Sequence, residues 1–244
     1  QQEPWAFDAK TLRTLTRYIR LRYRFRPYLY QLFIAQEKDG EAILRPLFYD
    51  FESTEKLPLD KVDDQFMVGP SVMQAPFLDE GLKQRNVTLP GEERWFDVSA
   101  AKWTKGGRTL RAKAAQDATP LYIREGSILP LARLAPEDHA FIAARVDFHI
   151  FLSRSGKTMT SYAFDDGESF AYKKGKRSVV EISAERKGRS LAIDLRYKKQ
   201  GFGQGDFTFT TESAIESVTV NGVAATRCKP QGEPVCKGLV TWSV

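Results

Sequence analysis

From Asp8 to Glu37 the apolar residues Leu12, Leu15, Ile19, Tyr23, Leu29, Leu32 and Phe33 recur at the three- to four-residue spacing of one helix face. Asp8 stands where an N-cap is wanted, and Asp39-Gly40 closes the segment. Pro27 interrupts the pattern. A proline costs a hydrogen bond and clashes with the preceding turn, so either the helix kinks there or two helices meet. Residues 42–51 then read as a short extended stretch that is apolar on both sides of Arg45, as expected of a strand buried on both faces, such as a parallel barrel strand. Beyond residue 64 the helical period gives way to short runs at 65–68, 71–77, 84–89, 94–98, 109–113, 121–124 and 127–131. Gly69-Pro70, Asp79-Glu80-Gly81, Pro90-Gly91 and Gly106-Gly107 separate them. A polar stretch at 133–140 with Pro136 marks a boundary. A second β series follows at 145–153, 158–164, 169–172, 178–187, 190–198, 206–211, 215–220 and 238–244, with a hairpin turn at Asn221-Gly222. Many short strands with Gly/Pro punctuation predict antiparallel sandwiches.

Composition changes this picture little. In a chain of 244 residues, 42% hydrophobic and 28% charged, two small domains plus part of a third fit comfortably. No apolar run approaches the roughly 20 residues that span a bilayer, so no membrane partner is expected. The net charge of +6 is dispersed among 31 acidic residues. Its densest cluster, Arg17, Arg20, Arg22, Arg24 and Arg26, alternates with apolar residues, as on a packed helix with snorkelling arginines, so no nucleic-acid partner is expected either. The chain starts at Gln1 rather than Met, which suggests a processed or truncated chain. Cys228 and Cys236 flank a turn-rich segment, where a local disulfide or two free thiols would fit; a disulfide would imply an oxidising compartment. Asn86-Val87-Thr88 fits a glycosylation sequon.

Candidate chemistry is sparse. The acidic pairs Asp63-Asp64, Asp79-Glu80 and Asp165-Asp166 are adjacent in sequence, so on strands they point to opposite faces and on turns they face water. None makes the facing carboxyl pair that glycoside hydrolysis requires. Asp165-Asp166-Gly167-Glu168-Ser169 is the most site-like, yet it lacks the ligand spacing of a calcium loop and reads better as a turn with capping bonds. His139 and His149 offer no ligand spacing with the cysteines and no nucleophilic triad, so neither metal nor cofactor is expected. Gly201-Phe202-Gly203-Gln204-Gly205 has the wrong spacing for a phosphate loop and reads as a hairpin tip.

The order of the segments carries more. Glu3-Pro4-Trp5-Ala6-Phe7, Leu21-Arg22-Tyr23-Arg24-Phe25-Arg26-Pro27-Tyr28-Leu29-Tyr30 and Arg45-Pro46-Leu47-Phe48 resemble the end of the catalytic barrel in glycoside hydrolase family 31. Collinear similarity continues through Asp64-Gln65-Phe66-Met67-Val68-Gly69-Pro70, Arg94-Trp95-Phe96-Asp97, Pro120-Leu121-Tyr122-Ile123-Arg124-Glu125-Gly126 and Asp165-Asp166-Gly167-Glu168-Ser169. The resemblance implies a mainly β chain: residues 1–58 as the last helix and strand of a (β/α)8 barrel, 59–137 as a proximal β-sandwich and 138–244 as a distal one. It implies a retaining α-glycosidase, periplasmic or secreted, acting on oligosaccharides through two barrel aspartates that would precede Gln1. No catalytic residue is then expected in this chain, and its partner is the upstream barrel. Glu3, Trp5 and Arg45 would lie near the substrate pocket, or else serve as a paired Glu, a buried Trp and an Arg that satisfies carbonyls. Two other readings compete. One is a carbohydrate-binding module using Trp95, Trp103 and Trp242 as stacking faces. The other is a structural role in which the sandwiches brace the barrel and shape homo-oligomer contacts.

Overall fold

The computed structural model describes residues 3–79, 81–113, 119–133, 144–229 and 238–243. The N-terminal segment resolves into two helices, α1 (Ala9–Arg24) and α2 (Arg26–Asp39), which share Phe25 as their junction. The Asp8 carboxylate accepts hydrogen bonds from the Lys10 and Thr11 amides and so caps α1. Pro27 falls in the first turn of α2, where its missing N–H costs nothing, which favours two helices over a kink. Gly40, at a φ of 74°, ends α2.

The first sandwich has a six-stranded antiparallel sheet in the order β1 (Leu44–Arg45), β2 (Phe66–Val68), β3 (Val72–Gln74), β8 (Leu121–Arg124), β5 (Arg94–Asp97) and β6 (Lys102–Lys105). A ribbon of β4 (Gln84–Leu89) and β7 (Arg108–Lys113) faces it. Met67, Met73, Trp95 and Tyr122 pack inward with Leu47, Leu59 and Leu89. Their strand neighbours Val72, Phe96 and Ile123 point to the other face, where Tyr28 and Leu32 of α2 cover them. The sheet is thus buried on both sides. Gly69 permits this: a Cβ there would lie 2.6 Å from the Tyr28 hydroxyl and against Leu32. The Tyr28 hydroxyl donates to the Val68 carbonyl at 2.7 Å.

The second sandwich pairs two five-stranded sheets. One runs β17 (Thr226–Cys228), β18 (Leu239–Ser243), β14 (Asp206–Glu212), β10 (Arg145–Phe151), β9 (Ser127–Ala132). The other runs β11 (Gly156–Phe164), β12 (Ser178–Lys187), β13 (Ser190–Gln200), β15 (Ser217–Val220), β16 (Val223–Ala224). Phe148, Tyr162, Phe164, Val180, Ile182, Ile193, Phe209 and Trp242 fill the space between them. Most pairings are antiparallel, but β10 with β14 and β13 with β15 are parallel.

Four expectations change. The stretch 42–51 is no parallel barrel strand: β1 spans two residues, pairs antiparallel with β2, and gives way at Pro46, which has no N–H for the ladder, to the short helix α3 (Leu47–Asp50). Residues 127–131, expected in the first sandwich, form β9 and pair with β10 of the second. Residues 169–172 are not a strand; the Ser169 hydroxyl accepts from the Ala171 amide and starts a 3-10 turn over Phe170–Lys174. Gly201–Gly205 is not a hairpin tip but the crossover from β13 in one sheet to β14 in the other. Three strands escaped sequence reading: the polar Lys102–Lys105 and the short Val223–Ala224 and Thr226–Cys228. Residues 134–140 of the expected boundary lie outside the described residues.

Candidate functional site

The N-terminal residues open with a 3-10 turn over Pro4–Ala6, closed by the Ala6 amide donating to the Glu3 carbonyl at 2.9 Å. Trp5 is 74% exposed and Phe7 is exposed beside it. The Glu3 carboxylate buries one oxygen that has no hydrogen-bond partner. Along α1, Leu12, Ile19 and Tyr23 continue an exposed apolar row at seven- and four-residue spacing.

Arg45 is held elsewhere, by its own neighbours. Its Nε donates to the Ala42 carbonyl at 2.6 Å, Nη1 to Asp50 at 2.8 Å and Nη2 to Glu41 at 2.9 Å, and the guanidinium lies 4.9 Å above the Tyr49 ring. All these groups come from residues 41–50, and only 6% of Arg45 is exposed. Its guanidinium is thus satisfied by the turn around β1, and none of these bonds goes to Glu3 or Trp5. All three hydrogen-bonding partners lie within five residues of Arg45 in sequence.

Two polar clusters fasten the helices to the second sandwich. Asp147 and His149 project from β10 on the face opposite Phe148, at the end of α1. His149 Nε2 lies 2.9 Å from Asp147 Oδ2, and Arg24 Nη2 lies 3.4 Å from the same ring nitrogen and 4.0 Å from the carboxylate. Thr208 and Thr210 of β14 donate their hydroxyls to Asp147 at 3.1 and 2.8 Å. This is the His–Asp half of a catalytic triad in distance only: Arg24, Asp147 and His149 are all buried, and threonines fill the remaining side. In the second cluster Asp165 accepts from the Tyr30 hydroxyl at 2.8 Å, Arg177 Nε at 2.7 Å and the Gly167 amide at 3.0 Å. Burial, with Asp165 alongside, pushes the Tyr30 hydroxyl up to about 12, so it keeps the proton it donates. Asp166 accepts from the Glu168 and Ser169 amides, as the capping-turn reading expected.

Asp64 pairs with Arg85 at 2.5 Å, Asp63 and Asp79 face solvent, and Glu80 lies outside the described residues. Glu125 accepts from the Ser153 amide at 3.3 Å and its hydroxyl at 2.5 Å. Nearby Glu212 is pushed up by burial and by Glu125 despite the Trp103 N–H, Arg186 and Arg94. Among the described residues no three His, Cys, Asp or Glu side chains gather as metal ligands. Cys228 is half-buried on β17; Cys236, like His139, lies outside the described residues.

Of the three tryptophans named for sugar stacking, Trp95 and Trp242 are buried and Trp103 is half-buried. Trp95 is fully buried and donates Nε1 to the Pro90 carbonyl at 3.0 Å. Trp242 is buried against Thr211, which accepts its N–H at 3.0 Å, and Trp103 packs edge-on to Phe96. Alternating strand positions put the rings of Trp95 and Trp242 into cores, which a sequence scan for aromatics does not register.

Residues 40–129 match the family model described as the glycosyl hydrolase family 31 C-terminal domain. An α-xylosidase of Saccharolobus solfataricus is 30% identical over 200 residues, 82% of this chain and 26% of that protein. Alpha-glucosidase 2 of Bacillus thermoamyloliquefaciens is 29% identical over 229 residues, 91% of this chain and 28% of that protein. A solved dextranase of the same family from Flavobacterium johnsoniae, in complex with glucose, superposes with a TM-score of 0.81 at 22% identity, over 99% of this chain and 32% of that one. The chain thus spans about a quarter of the length of these curated relatives. Fold, segment order and these matches agree: the chain belongs to glycosyl hydrolase family 31 and carries that family's C-terminal domain.

Proposed function

We propose that this chain is the supporting, non-catalytic C-terminal part of a retaining α-glycosidase that acts on terminal α-glycosidic bonds of oligosaccharides. In this reading a (β/α)8 barrel of the same polypeptide supplies both hydrolytic carboxylates, and the α1–α2 pair is the end of that barrel. One observation carries the proposal. Leu12, Ile19 and Tyr23 line an exposed face of α1 beside Trp5 and Phe7, while the opposite side of the helix pair is fastened to both sandwiches. A row of this kind on a helix so firmly held on its other side is what a further packed layer would cover. The named activities of the α-xylosidase and α-glucosidase relatives support the chemistry, and their length leaves room for a barrel.

A direct assay tests this. Offered an aryl α-glucoside or α-xyloside, the chain by itself should release no aryl alcohol above buffer. Turnover by the chain would move catalysis into it and overturn the proposal. Calorimetric titration with maltose and isomaltose should likewise show no heat of binding; a saturable signal would restore the carbohydrate-binding reading, which has buried Trp95 and Trp242 against it.

A further inference from the structure

Three side-chain carboxamides repeat one geometry at three unrelated places. Gln31 on α2 donates Nε2–H to the Ala163 carbonyl at 2.8 Å and accepts the Ala163 amide at 2.8 Å. Gln65, just before β2, donates to the Thr88 carbonyl at 2.9 Å and accepts the Thr88 amide at 2.8 Å. Asn221 donates to the Leu195 carbonyl at 3.2 Å and accepts the Leu195 amide at 2.7 Å. In each case one amide satisfies both backbone groups of one extended residue. That is the reciprocal exchange by which facing residues of antiparallel strands pair. The orientation of each amide is fixed by this: rotated by a half-turn, it would set oxygen against oxygen and N–H against N–H.

Each clamped residue lies where a strand has no neighbour on that side. Ala163 belongs to β11, the outermost strand of its sheet, and pairs with Val179 of β12 on the other side. Thr88 belongs to β4 of the two-stranded ribbon and pairs with Thr109 of β7. Leu195 lies just past the point where β15 stops accompanying β13, since that pairing ends at Ile193–Val220. Asn221 there also takes the left-handed turn position, with a φ of 50°, so one residue both reverses the chain after β15 and pairs with the neighbouring strand β13. A glutamate or aspartate could accept each amide N–H but would repel the carbonyl. The carboxamide is the side chain that matches both.

We propose that Gln31, Gln65 and Asn221 are clamps that complete the ladder at strand positions without a neighbour; Gln65 does so for the buried Thr88, and Gln31 and Asn221 deny their edges to a strand of a second copy of this chain. Unpaired N–H and C=O rows are templates for strand addition, and charges, prolines, bulges and covers are the usual protections. A clamping carboxamide does the same for a single residue. The proposal does not depend on the glycosidase reading.

Gln31→Met keeps the length of the side chain and removes the clamp. Asn221→Gly keeps the left-handed turn and removes the clamp at a solvent-exposed site, so its fold is not at stake. Amide hydrogen exchange on the whole chain reads both. The Ala163 amide should exchange about five- to tenfold faster in Gln31→Met, and the Leu195 amide likewise in Asn221→Gly, with the β12 amides unchanged. The double variant should also form more high-mass species than the parent chain in sedimentation at matched concentration. Unaltered exchange at both sites would show that the amides clamp nothing. Faster exchange without added association would remove the protective role.

Discussion

At Asp147 burial acts to raise the carboxyl's pKa, but His149, Thr210 and Arg24 together outweigh it and hold the group below its ordinary 3.8. A carboxyl depressed in the folded state binds its proton more readily when unfolded. Its contribution to stability is therefore fully present above about 3.8 and drains away as pH falls below that value toward the folded pKa. Asp147→Asn should cost about 3 kcal/mol near neutrality, because Arg24 then stays buried beside a neutral amide. The deficit should narrow in acid, giving a flatter acid limb in urea melts taken across the pH range. A constant deficit at every pH would remove the linkage. The sequence places Asp147 and His149 two apart on a strand, hence on one face, and that much was readable. It held no sign that Arg24, 123 residues earlier, would close over them. Arg45 shows the reverse case: its partners are local, within five residues in sequence.

Elements were legible where one face is wet. Ser178–Lys187 alternates buried and half-buried positions along its length, and the period-two reading placed it with the same ends. Strands buried on both faces lose that alternation. Residues of β8 and β9 are almost all buried, so their existence was readable but their sheet was not, and β9 changed sandwich. The glycine-rich segment after β13 belongs to this scale. A Cβ on Gly201 would lie 2.7 Å from the Arg177 carbonyl oxygen and against that of Gly175, so the crossover is packed backbone on backbone. Gly201→Ala should destabilise the chain by about 1–3 kcal/mol, read as a lower urea midpoint with an unchanged slope. A free hairpin tip would tolerate the same change without loss.

For the molecule as a whole, the helix pair is a partner of both sandwiches rather than an appendage. Tyr28 reaches β2, Gln31 reaches β11, Arg24 reaches β10, and the Tyr18 hydroxyl accepts the Thr119 amide at 2.6 Å. The outward row on α1 is left over. In the chain by itself Ile19→Glu should lower both the binding of a hydrophobic dye and self-association, while stability stays within about 0.5 kcal/mol of the parent. A large loss of stability would mean that this face is already packed within the chain.

The sequence by itself determined the class of the protein: a helical start, a long β remainder, most strand positions, the Asn221-Gly222 turn and the collinear motifs of family 31. These are local periods and chemistry, carried by neighbouring residues. Only the tertiary structure decided which sheet each doubly buried strand joined, which tryptophans became core and which arginine sealed the Asp147–His149 pair. Those outcomes depend on contacts between residues far apart in the chain, and hydrophobic burial, being non-directional, drives such contacts without specifying them.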